Sequence, residues 1–469
     1  MSWLLIYIAI GWVIRAGMVP VVLRRQFAPG AAIAWLGIVF LHPYIGGTIY
    51  LLVGEARLKS RRVDVYQRTV SQIRHRPQAA TLPDLEPAYQ SMVLQAQKIS
   101  GMPSLPDNSI KFLNDIDPFV DHLIADMDAA KEHVHLAYYI FAPDGAGRRI
   151  IDALLRAAKR GVKCRVLADW IGSYAFFRRE LHRQLTDAGV EVAAAMRVNF
   201  FRSLFPRVDL RNHRKLATID DCIAYVGSHN LIDADYYNNP AGPWIDLSGR
   251  ITGPIVAELE SVFREDWAFE TGANLGRIEQ AASPPNGRIS MQAVPTGPAA
   301  PGDTYRRLLL GAVQCARKQL ILTTPYFVPD DPTLVALMMA ADRGVDVKLI
   351  VPLRSNAVFT AAAGRAHYGK LLEAGVQVHL HRPGLIHSKT VTVDDAFGLF
   401  GSANLDVRSF NLNFELSLML YGREVTDQLR KVQMAYLEKS PPIDAKEWSR
   451  RKPLPRYTDG AISLLSPLL

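Results

Sequence analysis

The chain has 469 residues, 49% of them hydrophobic, which is enough for two or three domains with sizeable cores. Its three cysteines, Cys164, Cys222 and Cys315, lie far apart with no metal-ligand spacing, which excludes a disulfide scaffold or a cysteine-based metal site and suits a reducing compartment. A formal net charge of +9 points to anionic partners, either nucleic acid or acidic lipid.

The chain opens with two apolar runs, residues 3–23 and 31–53, of 21 and 23 residues. Each matches the roughly 20 helical residues needed to cross a bilayer, so a hairpin of two transmembrane helices is predicted over residues 1–54. Arg15 and Pro20 interrupt the first run, and a central arginine costs about 2.5–3.5 kcal/mol, which the surrounding Leu, Ile and Val residues offset. No basic stretch precedes the first run and a second run follows directly, which argues against a cleaved signal peptide. The loop between the runs carries Arg24 and Arg25, whereas Arg57, Lys59, Arg61 and Arg62 follow the second. The larger basic cluster stays in the cytoplasm, so both termini and the bulk of the chain are expected on the cytoplasmic side of the membrane. Residues 55–108 read as a connector, basic at first and then broken by prolines, whose positive charge would be drawn to acidic lipid.

From about residue 109 helical and strand patterns alternate. Phe119–Ala130 and Gly147–Lys159 read as helices, and His133–Phe141 and Val162–Ala168 as strands. The second half repeats the series with helices over 303–317 and 332–342 and strands over 319–324 and 345–351. Arg160-Gly161-Val162 aligns with Arg343-Gly344-Val345, and Ala188-Gly189-Val190 with Ala374-Gly375-Val376. The expected fold class is α/β, two domains related by internal duplication at 109–283 and 302–440, with 284–301 as linker and 441–469 as a tail. The halves differ between Gly189 and His213, where 24 residues stand against 12 from Gly375 to His387. The excess contains Phe200, Phe201 and Phe205 with Arg197 and Arg202, a mixture that suits either a membrane interface or a core-covering loop. The tail alternates basic residues with proline before an apolar end, leaving disorder and membrane-surface contact both open.

The duplication is sharpest over 213–231 and 387–405. Without a gap, His213 falls on His387, Lys215 on Lys389, Asp220 on Asp394, Gly227-Ser228 on Gly401-Ser402 and Asn230 on Asn404. Polar residues match while apolar ones vary, the reverse of what a merely structural duplication keeps. In a strand, residues i and i+2 share a face, so each copy presents an imidazole and an ammonium together. The Asp-Asp pairs read as turns, and each second strand ends in Gly-Ser-x-Asn, whose hydroxyl and amide can donate to an anion. Two copies brought together would bind a phosphodiester with no need of a metal or cofactor.

These motifs, H-x-K-x4-D followed by G-S-x-N, resemble those of the phospholipase D superfamily. Within it, Tyr138-Tyr139-Ile140-Phe141, Arg211-Asn212-His213-Arg214-Lys215, Thr324-Pro325-Tyr326-Phe327-Val328-Pro329, Asn411-Leu412-Asn413-Phe414-Glu415 and the ending Leu465-Ser466-Pro467-Leu468-Leu469 look like bacterial cardiolipin synthases. The resemblance implies two phospholipase D-like domains sharing one active site, with His213 as nucleophile and His387 as acid. Lys215, Lys389, Ser228, Asn230, Ser402 and Asn404 would hold phosphate oxygens, and Asp246 and Glu415 would orient the imidazoles. Asp220 and Asp394, as motif members, are grouped with the catalytic residues His213, Lys215, His387 and Lys389, with a structural part in the turns also open. The implied reaction transfers a phosphatidyl group from one phosphatidylglycerol to another at the inner membrane, through a phosphohistidine. Phospholipase D, phosphatidylserine synthase and, more remotely, a tethered nuclease remain alternatives. Two membrane runs and the lack of a stacking platform outside 196–207 speak against nucleic acid as partner.

Overall fold

The structure, a computed structural model, describes residues 3–25, 29–54, 60–74, 81–198, 210–236, 239–278, 287–299, 303–464 and 466. It divides into two compact units, one of residues 1–58 with 198–210 and the other of residues 59–197 with 211–467.

In the first unit the helix Trp3–Arg24 is long and apolar enough to cross a membrane. The second apolar run is not one helix. It forms Pro29–Leu41, then Pro43–Ile49, then a π-helical turn Tyr50–Gly54. Pro43 has no N–H to continue the ladder and its ring clashes with the preceding turn, so the helix stops and restarts with His42 as N-cap. The run expected as one membrane helix over 31–53 is thus helical in three segments. The break also gives Arg15 a partner, because its Nε donates to the Phe40 carbonyl at 3.1 Å, near the end of the interrupted helix. The returning turn packs closely: a Cβ on Gly46 would stand 2.7 Å from the Ile38 carbonyl oxygen. Phe200, Phe201 and Phe205 lie outside the described residues, as does the basic cluster through Lys59.

The second unit is built on one fourteen-stranded sheet. In the first half the strands are β1 (Leu105–Leu113), β2 (His133–Tyr138), β3 (Lys163–Asp169), β4 (Glu191–Ala195), β5 (Leu216–Ile219), β6 (Ile223–Gly227), β7 (Trp244–Ile245) and β8 (Ser248–Thr252). The second half supplies β9 (Ile289–Thr296), β10 (Gln319–Thr323), β11 (Phe327–Val328), β12 (Asp346–Pro352), β13 (Gln377–His381), β14 (Leu385–Ile386), β15 (Thr390–Val393), β16 (Phe397–Gly401), β17 (Leu405–Asp406) and β18 (Glu415–Tyr421). The sheet order is β13-β12-β10-β15-β16-β18-β9 followed by β1-β8-β6-β5-β2-β3-β4, so each half is the other reversed and they join at β9 and β1.

Strand alternation sends side chains to two helical layers. Leu416, Leu418 and Leu420 of β18 point to one face, where the helices Ile255–Thr271 and Arg423–Glu438 bury Leu259, Phe263 and Leu429. Met419 and Tyr421 point to the other, packed with the helices Thr304–Cys315 and Asp331–Asp342. Two boundaries move. The described part of the expected linker 284–301 contains β9, a central strand hydrogen-bonded on both sides. The connector includes the helix Pro87–Ser100, whose Tyr89, Met92 and Val93 are buried in the second half's core. The tail is folded as well: its helices Ala445–Ser449 and Pro453–Ser463 lie along the helix Val358–Glu373, where Asp459 is paired with Arg365.

Candidate active site

Each motif histidine stands just before a central strand and is fixed through the backbone to the other half. His213 N–H donates to the Phe414 carbonyl at 2.9 Å, and His387 N–H to the Ile245 carbonyl at 2.8 Å. The residues that follow those carbonyls are Glu415 and Asp246. The side chains therefore pair across the halves: His213 Nδ1 donates to both Glu415 oxygens at 3.0 Å, and His387 Nδ1 donates to Asp246 Oδ1 at 2.6 Å. A carboxylate on Nδ1 keeps the proton there and leaves the Nε2 lone pair free, which fits an imidazole for nucleophilic or acid–base work.

The lysines complete the cluster. Lys215 Nζ donates to the His213 carbonyl at 2.7 Å and Lys389 Nζ to the His387 carbonyl, and both side chains are buried. Burial pushes Lys215 down to about 8 and Lys389 to about 7, the latter helped by the charge of Lys215. Burial also drives His213 down to about 4 against the pull of Glu415, and His387 to about 3 with Lys389 adding to the effect. Burial alone would raise Asp246 and Glu415, but the summed His and Lys charges and hydrogen bonds around them hold both below the ordinary carboxylate range. Buried cations facing one another with their carboxylates already engaged form a site that an anion would stabilise.

The serines depart from expectation. Ser228 Oγ donates to Asp246 at 2.6 Å and Ser402 Oγ to Glu415 at 2.5 Å, and each accepts a backbone N–H, from Leu247 and Leu416. Their hydroxyls hold the carboxylates rather than facing an open anion site. Gly227 and Gly401 permit this approach, since a Cβ on either would lie 2.3 Å from the carbonyl oxygen of Leu247 or Leu416. Asn230 Oδ1 accepts the Ile140 N–H at 3.0 Å, leaving its amide NH2 as the group that could meet an anion. The buried Oδ1 of Asn404 has no partner among the described residues.

Asp220 and Asp394 are not in the cluster. Asp220 accepts the N–H groups of Lys131, Glu132 and His133, and Asp394 those of Arg317, Lys318 and Gln319 together with the Tyr89 hydroxyl. Along the strand Asp220 stands about 16 Å beyond Lys215. Both aspartates have positive φ, +50° and +49°, which suits an Asp in a tight turn. Grouping them with the catalytic residues is corrected to an anchoring role for the turn before β2 or β10.

Two aromatic neighbours escaped the sequence argument as site residues, although both lie in or beside the quoted segments. Tyr139 meets the His213 ring edge-on at 4.9 Å and Trp244 meets His387 at 4.4 Å. Ser409 and Asn413 also donate to Glu415, with no sequence signal beyond their nearness. Elsewhere, His133, His135 and Glu260 bring ligand atoms within 4.8 Å of one another. His135 and Glu260 are already engaged, the one by Arg165 and the other by Arg264 and Thr218, and two arginines beside the cluster do not suit a cation.

Residues 123–267 and 309–434 match the family described as cardiolipin synthase, phospholipase D-like domain. The chain belongs to that family. It is 36% identical over its whole length to cardiolipin synthase A of Erwinia tasmaniensis, covering 99% of that protein, and 35% identical to cardiolipin synthase A of Pectobacterium carotovorum, covering 98%. Among solved structures, phosphatidylserine synthase of Haemophilus influenzae matches 81% of this chain and all of its own length, with a TM-score of 0.60 at 16% identity, a likeness of fold. As a cardiolipin synthase family member the chain is a membrane-associated enzyme of phosphatidyl transfer, and its twofold motif, N-terminal apolar helix and duplicated sheet belong together.

Proposed function

We propose that the enzyme joins two phosphatidylglycerol molecules into cardiolipin and glycerol by way of a phosphohistidine. The observation that carries this reading is the crossed arrangement of His213 on Glu415 and His387 on Asp246, with Lys215 and Lys389 near enough for their charges to act on both imidazoles. His213 Nε2 attacks phosphorus, the bond to the departing glycerol oxygen breaks, and His387 supplies that oxygen with a proton. The terminal hydroxyl of a second phosphatidylglycerol then gives its proton to His387 and takes the phosphatidyl group from His213. Both lysines and the Asn230 amide hold the non-bridging oxygens as charge develops there.

Two features favour His213 as nucleophile. Its side chain is 12% exposed against 4% for His387, so it is the more accessible lone pair. Lys389 is the second cause of the low His387 basicity, after burial, so a bound phosphate that cancels the lysine charge raises His387 most and readies it as the acid. The catalytic unit is placed on the cytoplasmic side of the inner membrane, on the strength of Arg57, Lys59, Arg61 and Arg62 outnumbering Arg24 and Arg25.

Labelled phosphatidylglycerol tests the reading. The intact enzyme should give cardiolipin and glycerol, His387→Ala should accumulate acid-labile label on His213, and His213→Ala should form no adduct. Release of phosphatidic acid alone would make the enzyme a phospholipase D. Label on His387 would reverse the two roles.

A further inference from the structure

The C-terminal helix Pro453–Ser463 turns its apolar side away from the protein. Leu454, Tyr457 and the cap residue Leu464 are 73%, 75% and 81% exposed, and Ala461 between them is exposed too. At 100° per residue these positions fall within one stripe about 80° wide. Asp459 lies on the opposite side, 3% exposed, where it accepts hydrogen bonds from Arg365 at 2.8 Å and Arg451 at 3.1 Å. A helix that spends its polar contacts on its own protein and offers leucine and tyrosine to the outside inverts the usual amphipathic pattern. The neighbouring helix Val358–Glu373 begins the same way, with Val358 69% and Phe359 62% exposed.

Basic residues surround the stripe. From Lys446 to Arg456 there are five Lys or Arg against Glu447 alone. Arg365, Arg451 and Arg456 line a cleft of about 270 Å³ beside Trp448, and Arg456 has no ion-pair partner among the described residues. The apolar stripe would enter the acyl boundary, Tyr457 would sit at head-group depth, and Lys452 and Arg456, which are not drawn into the Asp459 pairings, would meet phosphates. The same surface also reaches toward the active site: Tyr326, raised in pKa by burial and further by the charges of Asp406 and Asp246, donates to Asn356, two residues before Val358.

We propose that the paired helices Val358–Glu373 and Pro453–Ser463 form a second membrane-docking surface, on the catalytic unit itself, whose occupant is the face of an anionic phospholipid bilayer. Charge complementarity selects this occupant over a second copy of the chain, whose matching patch would carry the same positive charge. The proposal rests on the phospholipid reading above, but its test does not depend on turnover. The full chain, with its three native cysteines replaced and Leu454→Cys carrying a pyrene label, is reconstituted into vesicles whose acyl chains are brominated. In vesicles containing phosphatidylglycerol we expect pyrene monomer emission to be quenched, and the quenching to be lost when Lys452→Ser and Arg456→Ser are added. Cardiolipin formation in detergent should be unchanged in both proteins, because these residues touch no part of the site. Emission indifferent to bromine, or equal quenching in purely zwitterionic vesicles, would overturn the proposal. Pyrene excimer emission would assign the face to a second copy instead.

Discussion

Glu415 and Asp246 occupy equivalent places in the two halves of the sheet, and each serves the histidine of the other half. Their surroundings differ. Glu415 accepts from His213, Ser402, Ser409 and Asn413, whereas Asp246 accepts from His387 and Ser228. Further from the site the halves part company. In the first, His135, Glu260 and Arg264 make a buried ionic network beneath β5, while in the second the corresponding Ile321, Gln433 and Leu437 are neutral, and Gln433 accepts from Thr392 as Glu260 does from Thr218. Side chains that act on a shared centre are held in common, and those that only fasten a helix to the sheet have diverged.

The largest effects should come from breaking the crossed pairs. Glu415→Gln and Asp246→Asn keep size and most hydrogen bonds but remove the charge that stabilises an imidazolium, and each should lower turnover roughly 10³-fold. The crossing makes the outcomes distinct. Asp246→Asn, though it lies in the first half, should behave like a His387 variant and accumulate covalent adduct, while Glu415→Gln should slow adduct formation. Quantifying trapped adduct in both variants decides it, and the reverse pattern would mean that each carboxylate serves its own half.

Next in size come the motif aspartates. Asp220→Ala leaves three N–H groups without an acceptor, and Asp394→Ala leaves three and the Tyr89 hydroxyl. The Lys131 and Glu132 donors are exposed and can turn to water, whereas those at Asp394 are shielded, and each shielded donor left unpaired costs on the order of 1 kcal/mol; Asp220→Ala should therefore lose about 1–2 kcal/mol and Asp394→Ala about 3–4 kcal/mol. Denaturant unfolding together with activity per folded molecule checks this. Full stability with lost turnover would return these residues to the chemistry.

Much of the architecture was legible because duplication doubled every signal. The turn at Asp220, the strand it ends and the glycine after it each occur twice, so chance matches cancelled. The crossing was not legible, since it depends on β7 pairing with β14, two residues each, and on Asn212 bridging to Phe414 across half the chain. Short pairings of that kind leave no periodicity. The serines were read as anion donors because a hydroxyl after glycine suits either an anion or a carboxylate, and only the fold reveals which is near. The break in the second apolar run was hidden for a different reason. Hydropathy averages over Pro43, but one missing N–H and one ring are enough to divide a helix.

The smallest expected effect tests whether the divergent networks are interchangeable. Glu260→Gln alone should cost about 2 kcal/mol, because Arg264 is left with Asp221 as its one ion-pair partner among the described residues and a single amide oxygen must serve both His135 and Thr218. Changing the whole set to that of the other half, His135→Ile with Glu260→Gln and Arg264→Leu, removes Arg264 together with the Glu260 carboxylate and leaves Asp221 to His133. The introduced amide should then accept from Thr218 as Gln433 accepts from Thr392, and the introduced isoleucine should pack on Phe263, which already stacks on the imidazole at 4.5 Å. Replacing a buried ionic set by apolar and neutral residues is often neutral, so the triple variant should return to within about 1 kcal/mol of the parent and keep its activity. Thermal unfolding of the single and triple variants, compared with their cardiolipin yield, measures both halves of the statement. A triple variant no more stable than the single one would show that the ionic network does something its neutral counterpart cannot, and that this helix diverged under a constraint of its own.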